Sequence, residues 1–457
     1  MELNPLVIHS FIEVEAASVS VLLPSLDALE GAAAYILVLS SSSPHDPSNP
    51  PQMKPKRQSP KPPLWILRFH SPSPVHSVSL GSKHGLISCG DAQGRVSLTS
   101  ISDYRPRFFW KAHNESILSA EIKDRFIITH GRDNSIKVWR VSPSDSGSLS
   151  QKAPPTTGGE LPSRMVENLP LPELVKTLEV NSLNYCRFSF YPLPAEGERS
   201  NLKGLIAVPN TLDAAFIDIY NIFSGRRLCE AIGKPSTPLA KRERPAILMS
   251  LKLFTFQDRS ELACLAAYED GSLTLWSSDS SPHDLLTQAR AFSWKVLWSE
   301  KRHSEAVMAV DLSPKAEFAI SVSADDRLVR YSLDYPRDEK PPVPLSRAVG
   351  HPGKASVAIR SDSKLIAVGG WDGNVRLYST LDLKNAGSLK YHRGSVLSVC
   401  FGGGDDDGGA ASGKEDEEGE FESSGSDTSD SDHGRTDHSG TMLACGSEDG
   451  KVSLWRL

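Results

Sequence analysis

The sequence predicts an all-β protein: a seven-bladed β-propeller closed by an N-terminal strand in the last blade. Three observations carry this expectation. A hairpin pattern recurs seven times, a histidine precedes five strands that lead into these hairpins, and a spare strand lies ahead of the first unit.

The hairpin is an Asp, then Gly or a small residue, then alternating apolar positions ending in an aromatic. Clear copies are Asp133–Trp139, Asp270–Trp276, Asp372–Tyr378 and Asp449–Trp455. Looser copies are Asp325–Tyr331 and Gln93–Thr99, the latter without Asp or aromatic; the weakest is Ala214–Tyr220. Asp-Gly tolerates the positive φ of a tight turn, so each copy reads as a two-residue turn feeding a strand with one buried face. The copies end at residues 99, 139, 220, 276, 331, 378 and 455, and a period of about 40 residues marks a four-stranded blade. In this the chain resembles the WD40 repeat. The spacings 139 to 220 and 378 to 455 are long enough for an eighth blade, but neither extra stretch is built like one. Residues 142–174 are rich in Pro, Ser and Gly, and 402–440 in Gly, Asp, Glu and Ser. Such segments bury too little surface to offset their ordering entropy, so both are expected to be disordered or loop insertions.

His70, His113, His303, His351 and His392 each precede an apolar strand. In the WD40 pattern this His bonds the turn Asp, and a Ser or Thr four residues before that Asp links to the aromatic. Blade two carries the whole set as His113, Thr129, Asp133 and Trp139. Blade five carries His303, Ser321 and Asp325, with Tyr331 in place of Trp. Elsewhere a member is missing, and Cys89 and Cys445 stand where the hydroxyl belongs. A His, an Asp and a hydroxyl repeated from unit to unit mark a buried network that fixes a turn, not a catalytic triad.

Closure follows from counting strands. The chain ends on Lys451–Leu457 with no outer strand left for blade seven, whereas Leu64–Phe69 is a strand with no blade of its own. Pairing the two removes an open edge. The expected organisation is therefore a poorly ordered extension over 1–63 and a propeller over 64–457.

Hydrophobic content of 39% over 457 residues would overfill a single core, and seven blade interfaces divide it. The six cysteines show no C-x-x-C and no paired spacing, which reads as buried free thiols in a reducing compartment. Phe11–Leu39 is apolar but interrupted by Glu13, Glu15, Pro24, Asp27 and Glu30, so neither a membrane span nor a signal peptide is expected. Lys54, Lys56, Arg57 and Lys61 form a candidate nuclear-import cluster, with a solvated linker as the alternative. The net charge of −6 hides a division: 402–440 holds 13 acidic and 2 basic residues, contributing −11 and leaving +5 elsewhere. Ser426, Ser429 and Ser431 lie among its acids as candidate phosphorylation sites, against a solubilising insertion as the alternative.

Motifs for catalysis are not found. Gly350–Ala355 contains Gly-Lys without the spacing of a phosphate loop, and neither H-E-x-x-H nor G-x-S-x-G on a strand-turn-helix occurs. No cofactor and no metal site are expected. The Lys241–Arg244 run is short and of mixed sign, and no basic stripe is interleaved with stacking aromatics, so direct nucleic-acid contact is not expected.

Several strings go beyond what a propeller requires. They include Trp65–Arg68 before Pro74–Val78, Trp110–His113, Ile128–Asn134, Asn181–Cys186, Val208–Asn210, and Gly369–Gly373 leading to Arg376–Ser379. On these, the chain resembles the fungal ASTRA-associated protein 1 family, itself similar to the animal G-protein β-subunit-like protein 1. The resemblance implies a non-catalytic nuclear scaffold, also compatible with a cytoplasmic pool, that is monomeric within a hetero-complex and linked to chromatin remodelling. It further implies partners that include RuvB-like ATPases and the co-chaperones that mature phosphatidylinositol-3-kinase-related kinases. Two other readings compete. A G-protein β subunit needs an N-terminal heptad helix, which Pro24 and the Pro-rich 44–63 oppose. A ubiquitin-ligase substrate receptor carries Trp-Asp-x-Arg, whereas Trp139, Trp276 and Trp455 are followed by Arg140, Ser277 and Arg456. Candidate protein contacts are His130, Arg132 and Asn134 around the blade-two turn and Trp371 in blade six, with packing as the alternative role for Trp371.

Overall fold

Seven antiparallel sheets of four strands make up the computed structural model, and each sheet is one blade. The structure describes residues 62–81, 85–141, 169–182, 184–194, 202–235, 245–257, 259–287, 292–336, 339–402 and 440–457. The expected extension 1–63 lies outside these apart from its last two residues, as do nearly all of the two expected insertions. The second insertion leaves from the strand Val396–Gly402, and the chain re-enters at Met442–Ser447. The strand Glu173–Glu179, at the end of the first, forms the outer edge of blade two.

Blade one runs outward through Val75–Gly81, Leu86–Asp91, Arg95–Ser100 and Pro106–Lys111. The others repeat this meander. Their inner strands are Ile117–Lys123, Ser189–Pro192, Leu248–Thr255, Val307–Leu312, Lys354–Ile359 and Val396–Gly402. Blade seven is composite: Trp65–Leu67 pairs antiparallel with Val452–Arg456, bringing Ile66 opposite Ser453. The ring closes as the strand count requires.

Apolar alternation explains where the core lies. The described side chains form seven buried clusters, each shared by two adjacent blades. The cluster at the seam joins Leu67 and Phe69 to Val75, Val78 and Ile87 of blade one and to Val452 and Leu454 of blade seven.

Inner strands have a free edge, whose amides need partners. Small polar side chains of neighbouring blades supply them. The Ala120 amide donates to Ser77 Oγ (2.9 Å), Val78 to Ser398 Oγ (3.1 Å), Leu253 to Ser189 Oγ (2.9 Å) and Ile359 to Asp311 Oδ2 (2.9 Å). Serine recurs in the inner strands for this reason.

Because each blade is a meander, the turn between second and third strands opens on the same face as the loop entering the inner strand. The insertion at 402 leaves from the opposite face. The turns differ from expectation: outside blade three, where Pro209 pairs with Ile217, they hold three residues, as in blade two, where Gly131 pairs with Ser135 across Arg132, Asp133 and Asn134. The third residue takes the positive φ, at Gly94, Asn134, Gly271, Gly373 and Gly450.

Candidate protein-interaction face

In blade two, His113 Nδ1 lies 2.8 Å from Asp133 Oδ1, and its Nε2 lies 2.8 Å from Thr129 Oγ1. Trp139 Nε1 donates to the same hydroxyl at 2.9 Å. Asp133 also accepts from the Asn114 amide (3.0 Å) and from Ser135 Oγ (2.7 Å), so one carboxylate pins the turn and the incoming loop. In blade five, His303 bonds Asp325 at 2.9 Å and Ser321 Oγ at 2.7 Å. Its aromatic is held differently. Tyr331 stacks on Trp298 with centroids 5.5 Å apart.

Burial lowers the pKa of His113 and His303, against the opposing pull of Asp133 and Asp325. Desolvation acts to raise Asp133, but its bonds from Ser135, His113 and Asn114 prevail and hold it below the usual carboxylate range. The hydroxyls of Thr129 and Ser321 are fully buried, so no substrate can reach them. These triads are turn fasteners.

The structure adds two networks that the sequence reading left incomplete. His392 lies 3.2 Å from Asp449 and 2.7 Å from Ser453 Oγ, which accepts from Trp455 Nε1 at 2.9 Å. His70 lies 2.9 Å from Asp91 and 2.8 Å from Ser97 Oγ. Cys445 pairs across strands with Ser453, and Cys89 with Ser97. Where Cys occupies the hydroxyl position, a serine directly opposite on the third strand supplies the hydroxyl. The readable signal is Ser eight residues after Cys. Asp91 likewise replaces the missing turn Asp from two residues upstream of Gln93.

His351 has no such role. It is exposed, and Asp372 is held instead by Arg376 and Asn374. Lys354 takes the buried place nearby, donating to the Asp325 carbonyl at 2.7 Å, and burial lowers its pKa to about 8. Blade three replaces the His network with the fully buried Asp218, which accepts from Asn210 Nδ2 and the Ala231 amide, both at 2.8 Å. An acid inside the apolar alternation Ile217–Ile219 was the available signal.

Of the four candidate contacts, His130 lies in the interior. It is 0% exposed, its Nε2 is 2.8 Å from Ser182 Oγ, and burial lowers its pKa to about 3. It is therefore a structural residue rather than a contact, because the strand pairing turns its ring inward. Asn134 is exposed but uses its Oδ1 to accept from the Ser182 amide at 3.0 Å. Arg132 stacks on the ring of Tyr185 (4.6 Å) and donates to its hydroxyl (3.1 Å). Trp371 is 47% exposed, with its inner side against Gly353, where the ring leaves no space for a Cβ. Arg132 and Trp371 sit in equivalent turns and share one face.

In the string Asn181–Cys186, the residues Asn181, Ser182 and Tyr185 tie neighbouring blades together. Asn181 donates to the Asn210 carbonyl (2.8 Å), Ser182 holds the blade-two turn, and Tyr185 supports Arg132. Just beyond it, Arg187 Nη2 reaches the carbonyls of His76 (2.6 Å) in blade one and Leu397 (3.2 Å) in blade seven. Charged pairs line the inner strands behind it, Lys252 with Asp311 at 2.8 Å and Lys123 with Glu121 at 3.2 Å. All six cysteines are free thiols, and burial pushes Cys229 and Cys400 up to about 11 and Cys89 and Cys264 up to about 12.

Comparison with known proteins follows the same lines. The model of the WD domain, G-beta repeat, matches residues 343–379 and 435–456. ASTRA-associated protein 1 of Aspergillus flavus is 30% identical over 468 residues, covering 90% of this chain and 100% of the relative. That of Aspergillus niger is 32% identical, covering 88% of the chain and 98% of the relative. The Schizosaccharomyces pombe protein of the same name is 29% identical over 74% of the chain and 93% of its own length.

Proposed function

Because the chain belongs to the ASTRA-associated protein 1 family, we propose that it is a non-catalytic scaffold subunit of an ASTRA-type assembly. It holds RuvB-like ATPases and the co-chaperones that mature phosphatidylinositol-3-kinase-related kinases, and it contributes to chromatin remodelling. It acts in the nucleus as a single copy within the hetero-complex, a reading compatible with a cytoplasmic pool. The observation that carries this reading is identity of 30% along the whole length of a relative of that name.

Scaffolding fits the physical character of the ring. Seven shared cores and a closed seam join the seven blades into one ring, so the loops of both its faces are carried on a common frame. The test is affinity purification of the tagged full-length protein followed by mass spectrometry. RuvB-like ATPases and kinase-maturation co-chaperones are the expected partners. Recovery of a G-protein γ subunit or a cullin adaptor in their place overturns the reading.

A further inference from the structure

Four residues from three blades converge where the channel opens on the turn-bearing face. Arg132 lies in the blade-two turn and stacks on Tyr185. Two residues beyond Tyr185, Arg187 donates to the carbonyl of His76 at 2.6 Å. His76 returns to blade two through its Nδ1, 3.2 Å from the Ile117 carbonyl. Ile117 pairs with Gly131, the neighbour of Arg132, which closes the circuit.

Arg132 and Arg187 are cations and His76 can be protonated, and among the described residues the direct bonds of these three go to carbonyls and a phenol. Burial first, and then the Arg187 and Arg132 charges, lower the pKa of His76, while its bond to the Ile117 carbonyl and the Asp91 charge act in the opposite sense. The nearby acids are already engaged. Asp91 is held by His70 and Arg95, and Glu121, which acts on Arg187, is paired with Lys123. Several other surface cations are matched by a carboxylate, as in Arg140 with Glu173, Arg360 with Asp362 and Arg376 with Asp372. Among the described residues those of the notch are not. Arg132, Arg187 and His76 are all half-buried, and Tyr185 is 50% exposed, so the notch is open to a partner.

We propose that the notch formed by Arg132, Tyr185, His76 and Arg187 binds an acidic segment of a partner protein through anionic side chains. The stack with Tyr185 pre-orients the Arg132 guanidinium, so little side-chain entropy remains to be lost on binding. Net charge complements this choice: the chain outside 402–440 carries +5, while that acidic insertion leaves from the opposite face. A protein segment fits better than nucleic acid, because Arg132 already covers the Tyr185 ring and leaves no free stacking platform for bases. This inference rests on the scaffold reading for its biological setting but not for its measurement.

The test uses the purified full-length protein and fluorescence anisotropy with labelled oligo-aspartate, a phosphoserine-glycine peptide, oligo-serine and a single-stranded oligonucleotide. Binding of either anionic peptide, with none of oligo-serine, is expected and separates carboxylate from phosphate as the source of charge. Arg132→Gln weakens that binding by about tenfold and Arg132→Glu by more, while Arg132→Lys retains most of it. Lys384→Gln, which removes a charge from the opposite face, has no effect. Melting temperatures of all variants exclude unfolding as the cause. Equal loss in Arg132→Gln and Lys384→Gln, no loss in either, or preference for the oligonucleotide overturns the proposal. If wild-type protein recovers ASTRA subunits but no anionic peptide binds, only the notch fails. If the peptide binds and no such subunit is recovered, only the scaffold reading fails.

Discussion

Replacing Ser453 by alanine tests whether a hydroxyl can change strands without changing its role. Ser453 is 0% exposed, and its oxygen joins His392 Nε2 at 2.7 Å to Trp455 Nε1 at 2.9 Å. His392 Nδ1 faces the Asp449 carboxylate, so it carries the proton and Nε2 accepts from the serine hydroxyl. Ser453→Ala therefore leaves a buried acceptor and a buried indole N–H without partners. At about 1–3 kcal/mol for each orphaned group, the loss is about 2–6 kcal/mol. A ring of about 300 described residues, at about 2 cal/mol/K of unfolding entropy per residue, converts this to a fall of about 3–10 °C in melting temperature. The effect is concentrated at the seam, because Ser453 lies opposite Ile66 of the closing strand. Rescue is the sharper test. Cys445 is the cross-strand neighbour of Ser453 and occupies the place that Thr129 fills in blade two, so adding Cys445→Ser to Ser453→Ala restores most of the loss. Scanning fluorimetry of the four proteins of this cycle gives the coupling directly. A single variant melting within about 1 °C of the parent, or a double variant no more stable than the single, refutes the reasoning.

Acid is expected to destabilise the ring well above the carboxylate range. His130, His113 and His303 have folded pKa values below the unfolded value of 6.5, so their contribution is intact above that pH and is lost as pH falls through it. With His130 at about 3, it alone costs about 2 kcal/mol at pH 5. Denaturant titrations at pH 7.5 and 5 measure the difference, and His130→Gln reduces it; equal midpoints at both pH values contradict the expectation. Deleting residues 64–69 uncovers the edge of Val452–Arg456 and removes Leu67 and Phe69 from the seam cluster, so the product aggregates. A soluble truncation with a single cooperative melt argues against that. Trp371→Ala removes a half-exposed ring and is expected to leave the melting temperature within about 1 °C while weakening partner capture by about 2 kcal/mol. A lowered melting temperature with unchanged capture assigns the ring to packing instead.

The blades were legible because their signals are local. Asp-Gly turns and period-two strands such as Val452–Leu454 specify a hairpin within a dozen residues, and the spare strand at Trp65–Leu67 follows from counting. The full blade-two set, His113, Thr129, Asp133 and Trp139, was readable because all four members stand at their usual offsets. Blade one was misread because Asp91 and Ser97 serve from neighbouring positions, and in an antiparallel pair a side chain directly opposite reaches the same point in space. His351 shows the converse, a residue at the right offset with no partner role. His130 reads as a surface residue in the sequence because its place beside a turn is visible there and the direction of its ring is not.

The sequence by itself determined the number of blades, the alternation that buries one cluster between each pair, and the strand that closes the ring. Each depends on residues close together in the chain or on the absence of a local partner. Only the tertiary structure decided that Arg187 meets His76 and Leu397, 111 and 210 positions away, and that it shares a notch with Arg132. Closing a ring brings the starts of all the inner strands around one channel. Which charges then face one another is set by the diameter and register of the whole circle, a property that no single repeat encodes.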